Sequence, residues 1–227
     1  MERHRALAKL TLSLRVTGVR ADGYHLLDAE MATVDLADTL VFSEGHNELP
    51  PDDLVSRALH AVGRDAHVRV DKRIPIGAGL GGGSADAAAV LRWAGCRDLE
   101  VAASLGADVP FCLIGGRARV TGVGEVVEPL PFESCAFTLL TPPFGVSTVA
   151  VYRAWDELGG QAGDNGNDLE PAALAVEPRL AEWRDRLAAV AGLRPRLAGS
   201  GSTWFVEGAF PGEDRVVTRT DRPEGRS

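Results

Sequence analysis

Pro75-Ile76-Gly77-Ala78-Gly79-Leu80-Gly81-Gly82-Gly83-Ser84-Ala85-Asp86-Ala87-Ala88 is the most informative stretch of this chain. Five of the seven positions from Gly77 to Gly83 lack a Cβ, and the run passes into alanine, the residue with the highest intrinsic helix propensity. Just upstream, His67-Val68-Arg69-Val70-Asp71 alternates as a strand does. The order is therefore strand, glycine loop, helix, with Ser84 expected to open a helix that runs to Trp93. Successive residues without Cβ let backbone N–H groups turn inward into an anion-binding concavity, and a helix starting there adds the positive end of its dipole. A phosphate chain is the physical target; a flexible surface turn is the bland alternative.

Gly77 to Gly82 satisfies G-x-G-x-x-G, a weak pattern alone. A dinucleotide fold would place a strand with a terminal acidic residue soon after the helix, whereas the polar Gly95–Glu100 leads to another helical pattern. No lysine follows the glycines, so the G-x-x-x-x-G-K-[ST] loop is absent too.

Working outward, Ala8, Leu10, Leu12, Leu14 and Val16 alternate with Lys9, Thr11, Ser13 and Arg15, which reads as a half-buried strand. A turn at Asp22-Gly23 precedes a second extended segment from Asp28 to Val41, with breaks expected near Asp35 and Asp38. Pro50-Pro51-Asp52-Asp53 supplies a stop and a cap before Leu54, Ala58, Leu59 and Val62 at helical spacing. Further strands are expected at Ala118–Thr121 and Phe137–Leu140, with glycines and prolines between them marking a boundary between lobes of residues 1–136 and 137–227. Helices follow at Ser147–Leu158, Leu169–Ala175 and Pro178–Val190. A short strand near Arg196–Leu197 then leads to a second glycine loop, Ala198-Gly199-Ser200-Gly201-Ser202, and a strand at Thr203–Glu207. The last ten residues are charged and expected to fray.

The 227 residues give room for one sizeable domain or two small ones sharing a cleft. Hydrophobic residues at 45% and charged residues at 25% are those of a globular protein. A formal charge of −8 leaves little for counterion-release binding, so no nucleic-acid partner is expected. Cys96, Cys112 and Cys135 form neither a disulfide framework nor a zinc spacing, which fits a reducing cytoplasm. Met1-Glu2-Arg3-His4-Arg5 leads into an alternating stretch and no run approaches a membrane span, so a protein neither exported nor embedded is expected.

The glycine stretch resembles the ATP loop of the GHMP kinases, named for galactokinase, homoserine kinase, mevalonate kinase and phosphomevalonate kinase. Five further stretches sharpen the likeness: Ala8-Lys9-Leu10, Thr17 to His25, Gly106-Ala107-Asp108-Val109-Pro110-Phe111, Asn167-Asp168-Leu169-Glu170 and Gly199-Ser200-Gly201-Ser202. All are similar to the 4-diphosphocytidyl-2-C-methyl-D-erythritol kinase branch, in its order. The resemblance implies an α+β, two-lobed fold with a ribosomal protein S5 domain 2-like N-terminal lobe, a ferredoxin-like C-terminal lobe and the site between them. It implies phosphorylation by ATP of the 2-hydroxyl of the cytidylyl substrate in non-mevalonate isoprenoid precursor synthesis; a GHMP kinase for another small alcohol, or an idle nucleotide-binding relative, are the alternatives.

Residue by residue, the resemblance implies ATP binding by Pro75, Ile76, Gly77, Ala78, Gly79, Leu80, Gly81, Gly82, Gly83, Ser84 and Ala85, with Mg2+ riding mostly on phosphate oxygens. Lys9, which the strand alone leaves as a solvated face, becomes an active-site cation that orients the hydroxyl and favours the ionised form of a nearby carboxylate. Asp108, by default a cap, becomes the catalytic base. Tyr24 and Tyr152, otherwise rim aromatics, would sandwich the cytosine while His25 reads its edge. Thr148, Gly199, Ser200 and Gly201 would lie near the substrate phosphates. Asn167-Asp168 reads as a helix cap, no protein metal cluster stands out, and a monomer or weak homodimer is expected. Thr11 stands where the branch usually has asparagine, Met31 where it commonly has an aromatic, and Glu44–Leu54 and Gly95–Leu105 are more compact than usual.

Overall fold

A computed structural model describes residues 1–222. The first sheet holds β1 (Glu2–Val19), β2 (His25–Ser43), β3 (His67–Asp71), β4 (Arg117–Gly122) and β5 (Val126–Pro129), with α1 (Leu54–Ala61), α2 (Gly82–Trp93), α3 (Leu99–Leu105) and α4 (Val109–Ile114). The second holds β6 (Ala136–Leu140), β7 (Arg196–Leu197), β8 (Trp204–Glu207) and β9 (Val216–Arg219), with α5 (Thr148–Glu157), α6 (Glu170–Val176) and α7 (Leu180–Ala191). Helices packed beside antiparallel sheets make the architecture α+β.

β2 is the spine of the first sheet: β1 runs along one edge, while β4 pairs with residues 27–32 and β3 with residues 39–43 of the other. The breaks expected near Asp35 and Asp38 do not end this strand. Instead the β1–β2 register jumps from Leu7↔Ala37 to Lys9↔Thr33, a bulge that absorbs residues 34–36. Each aspartate finds lateral donors: Asp35 accepts from the Arg219 N–H at 3.0 Å, and Asp38 accepts from the Arg73 and Ile74 N–H groups.

In the second sheet β6 lies between β8 and β9, and β7 flanks β8. This is the ferredoxin-like strand order, with helices between its first and second strands and a short turn, rather than a helix, between its third and fourth. The strand β9 and the bridge Val34↔Thr220 correct the expected fraying: Asp221 N–H still donates to Thr33 O, tying residues 216–221 to both sheets. The final five residues of that expectation lie outside the described residues.

Two local departures matter for the cleft. The helix α2 starts at Gly82, two residues before the expected Ser84, with Gly81 as N-cap at φ +67°. A Cβ on Gly82 would stand 3.1 Å from Ile74, and one on Gly83 3.3 Å from Leu54, so the first turn must be small to pack there. The strand β1 is not half-solvated around Lys9 and Thr11 either; both are buried. Leu10 and Ala8 face the core under α2, whereas the glycine loops cover the polar face.

Candidate active site

The polar face of β1, the glycine loop before α2 and the second glycine loop before β8 meet at one cleft of about 1450 Å³. Lys9 N–H donates to Leu80 O and Thr203 N–H to Ala78 O, so carbonyls of the first loop staple it to both neighbouring segments. The two loops touch where no side chain could fit: a Cβ on Gly79 (φ +77°) would meet Ala198 O at 2.3 Å and Gly201 O at 2.7 Å. Asn167 does more than cap: its Oδ1 accepts from Leu169 N–H, while its Nδ2 donates to Leu197 O and Gly199 O, holding the second loop to the start of α6.

At the centre, Lys9 Nζ lies 3.3 Å from Asp108 Oδ2 and donates to Thr11 Oγ1 at 3.1 Å. The lysine is 5% exposed; its stem fills the space where a Gly81 Cβ would stand, 2.8 Å from Lys9 Cγ. Asp108 occupies the N-cap position of α4, yet its carboxylate makes no capping bond and is 32% exposed, free to meet a substrate. Cys112, one turn further on, is inert: burial, then the charge of Asp108, pushes its thiol up to about 12.

The sequence-expected residues divide into those that reach the cleft and those that support it. Pro75, Ile76, Gly77, Gly79, Gly81, Gly82, Gly83 and Ser84 line it; Ala78 and Leu80 line it through backbone, their side chains being buried. Ala85 is turned into the core and its N–H donates to Gly81 O, while Gly201 sits behind the loop against Leu197. Gly199 and Ser200 line the cleft, and Thr148, the first residue of α5, shares a 2.8 Å hydroxyl contact with Ser200. Tyr24, His25 and Tyr152 gather at the same cleft. Tyr24 is exposed beside Arg20, whereas Tyr152 lies on the His25 ring, centroids 4.7 Å apart. Burial, then the charge of Asp108, raises the Tyr152 hydroxyl above its ordinary value, which puts this tyrosine in the field of the central carboxylate.

A second charged cluster escaped the sequence reading. Lys72 Nζ donates to Asp38 Oδ2 at 2.5 Å and to Asp86 Oδ2 at 2.7 Å, next to the first residue of α2. Burial lowers the lysine's affinity for its proton, but the two carboxylates outweigh it and the net shift is upward. Asp86 is pushed up to about 7 by burial, against the opposing bond and charge of Lys72, and among the described residues its Oδ1 has no partner. Asp86 stands inside the glycine-to-helix motif and Lys72 three residues before it; nothing in their spacing reveals that the pairing of β2 with β3, Thr39↔Asp71, brings Asp38 between them.

Residues 53–116 match the family model of the GHMP kinases N terminal domain. A 4-diphosphocytidyl-2-C-methyl-D-erythritol kinase from Paracoccus denitrificans is 38% identical over 234 aligned residues, covering 89% of this chain and 85% of that protein. The chain belongs to the 4-diphosphocytidyl-2-C-methyl-D-erythritol kinase family. Another member, from Cereibacter sphaeroides, is 39% identical across 88% of this chain and 87% of its own length. A crystal structure of a kinase of the family superposes with a TM-score of 0.78 at 33% identity, covering 97% of this chain and all of that one. An L. major mevalonate kinase, at 12% identity and a TM-score of 0.64 over all of this chain and 97% of that one, shares the fold. The Paracoccus alignment is longer than this whole chain although 89% of it takes part, so that family member carries segments absent here.

Proposed function

We propose that the protein transfers the γ-phosphoryl group of ATP to the 2-hydroxyl of 4-diphosphocytidyl-2-C-methyl-D-erythritol, in non-mevalonate isoprenoid precursor synthesis. The observation that carries this reading is the Lys9–Asp108 pair, 3.3 Å apart, in the cleft that both glycine loops line. Phosphoryl transfer needs positioning and charge stabilisation more than covalent help from the protein. The N–H groups of the first loop and the head of α2 receive the nucleotide phosphates, Asp108 takes the proton of the attacking hydroxyl, and Lys9 holds that hydroxyl and the developing charge. Thr148, Gly199 and Ser200 meet the substrate phosphates, and Tyr24, His25 and Tyr152 meet its base.

Among the described residues no group of three or more His, Cys, Asp or Glu side chains could cage a metal, which suits a magnesium ion carried on phosphate oxygens. Ser84, at the head of α2, is one cleft hydroxyl that would be available to such an ion, whose chemistry is to neutralise phosphate charge. The two lobes are read as residues 1–136 and 137–227. We read the enzyme as cytoplasmic, which its three free thiols fit, and as a monomer or weak homodimer without nucleic-acid or membrane partners.

A coupled ADP-release assay tests the reading. Turnover is expected with the complete substrate and not with methylerythritol phosphate lacking the cytidylyl group. Equal turnover with both would make this a kinase of another small alcohol; nucleotide binding without any turnover would leave an idle relative.

A further inference from the structure

His25, the first residue of β2, is gripped by one face of α5. Tyr152 lies on its ring with the planes 33° apart, Trp155 meets it edge-on at 5.5 Å, and Asp156 Oδ1 lies 2.8 Å from its Nε2. Residues 152, 155 and 156 are spaced i, i+3, i+4, which places them on a single helix face. The His25 side chain is only 10% exposed, so its orientation is set by these contacts.

An ionised carboxylate accepts hydrogen bonds and donates none. Its contact with Nε2 therefore requires the proton on Nε2, and in the neutral ring the other nitrogen, Nδ1, is an acceptor. Among the described residues no protein group bonds Nδ1. His25 and Asp156 both line the cleft. We propose that Asp156 is a positioning residue that fixes His25 as a hydrogen-bond acceptor and so selects cytosine over uracil. Cytosine presents an amino donor on its pairing edge where uracil presents a carbonyl acceptor. An acceptor on the protein satisfies the first and leaves two lone pairs opposed with the second, a mismatch that a buried site punishes.

This inference rests on the reading that the cleft takes a cytidylyl substrate, and its test separates the two. Side-chain 15N NMR of the free protein reports the His25 tautomer without any substrate. The wild type is expected to carry the proton on Nε2, and Asp156→Ala to show a mixture of tautomers. Asp156 is half-exposed on α5 and alanine favours helix, so the variant keeps its fold. The ratio of kcat/KM for the cytidylyl over the uridylyl substrate is expected to fall by about tenfold or more, mainly through KM. Asp156→Asn, whose amide can accept from or donate to Nε2, is expected to fall between the two. A wild-type His25 protonated on Nδ1, or a ratio within about twofold of wild type in Asp156→Ala, overturns the proposal. If the wild type turns over neither substrate, the activity reading fails alone, and calorimetric Kd values for CDP and UDP replace the kinetic ratio with the same expected change.

Discussion

Lys9 and Lys72 are the only lysines in the chain, every other side-chain cation being arginine or histidine, and both line the one cleft. Each sits between a glycine of the first loop and aspartate, yet their surroundings differ. Lys9 pairs with an aspartate that is 32% exposed and has no backbone donor to satisfy. Lys72 bridges two buried aspartates, one of which also collects two backbone N–H groups. The same charge pairing thus serves two ends. A carboxylate left open to solvent remains available to a substrate hydroxyl, whereas a carboxylate consumed by backbone donors anchors the loop. Lysine suits both places because a single ammonium on a thin stem fits where the planar fork of arginine would not.

The largest expected effect separates the two clusters by activity. Asp108→Asn should lower kcat by about 10²–10⁴-fold while ATP affinity stays near wild type, measured by ADP release and by nucleotide titration. Its stability should fall by about 1–2 kcal/mol, because the buried Lys9 ammonium loses its ionic partner but the amide oxygen can still accept from it. An intact kcat would remove Asp108 from its role as base.

Next comes the opposite signature at the second cluster. Asp38→Ala leaves the Arg73 and Ile74 N–H groups without their acceptor and Lys72 with Asp86 alone, and should cost about 2–4 kcal/mol in urea denaturation. A loss under about 1 kcal/mol would mean that water replaces the aspartate without penalty and that the contrast is false.

Gly81→Ala probes how Lys9 is seated. The new Cβ would press on Lys9 Cγ at 2.8 Å in a backbone conformation of φ +67°, so a stability loss of about 1–2 kcal/mol and a kcat loss of about 10²-fold are expected. Unchanged kinetics would show that the lysine stem can move without consequence.

The smallest effect is a pH dependence. Asp86 titrates near 7 in the folded protein, above its ordinary value of 3.8. Its protonation therefore adds stability that is complete below about pH 4 and is lost as pH rises through about 7. Asp86→Asn lacks this titration, so its Tm relative to wild type should rise between pH 5 and pH 8. A constant gap would place the proton elsewhere.

Much of this molecule was legible in its residues. The glycine run, the strand before it and the alanine helix after it were legible as strand, loop and helix because their patterns are local. Lys9 and Asp108 became legible only through resemblance: on its strand Lys9 looks solvated, and what buries it is a loop some seventy residues away. The Asp38–Lys72–Asp86 cluster stayed hidden for a related reason. Aspartates in a strand read as breaks, and only the pairing of β2 with β3 turns one of them into an acceptor for the segment after β3. Likewise, the last ten residues read as charged and frayed, while the pairing of β9 with β6 depends on a distant partner. Asp156 could have been found from its i+4 spacing to Tyr152, had His25 been known to lie beneath that face.

On the proposed function, phosphoryl transfer goes to one hydroxyl and depends on Asp108. Incubating the enzyme with ATP labelled at the γ-phosphate and the cytidylyl substrate, and locating the label by 31P NMR, tests it most directly. One ADP released for each labelled phosphomonoester on the 2-hydroxyl, with both lost together in Asp108→Asn, is the predicted result. Label on another hydroxyl, or undiminished transfer in Asp108→Asn, would contradict it.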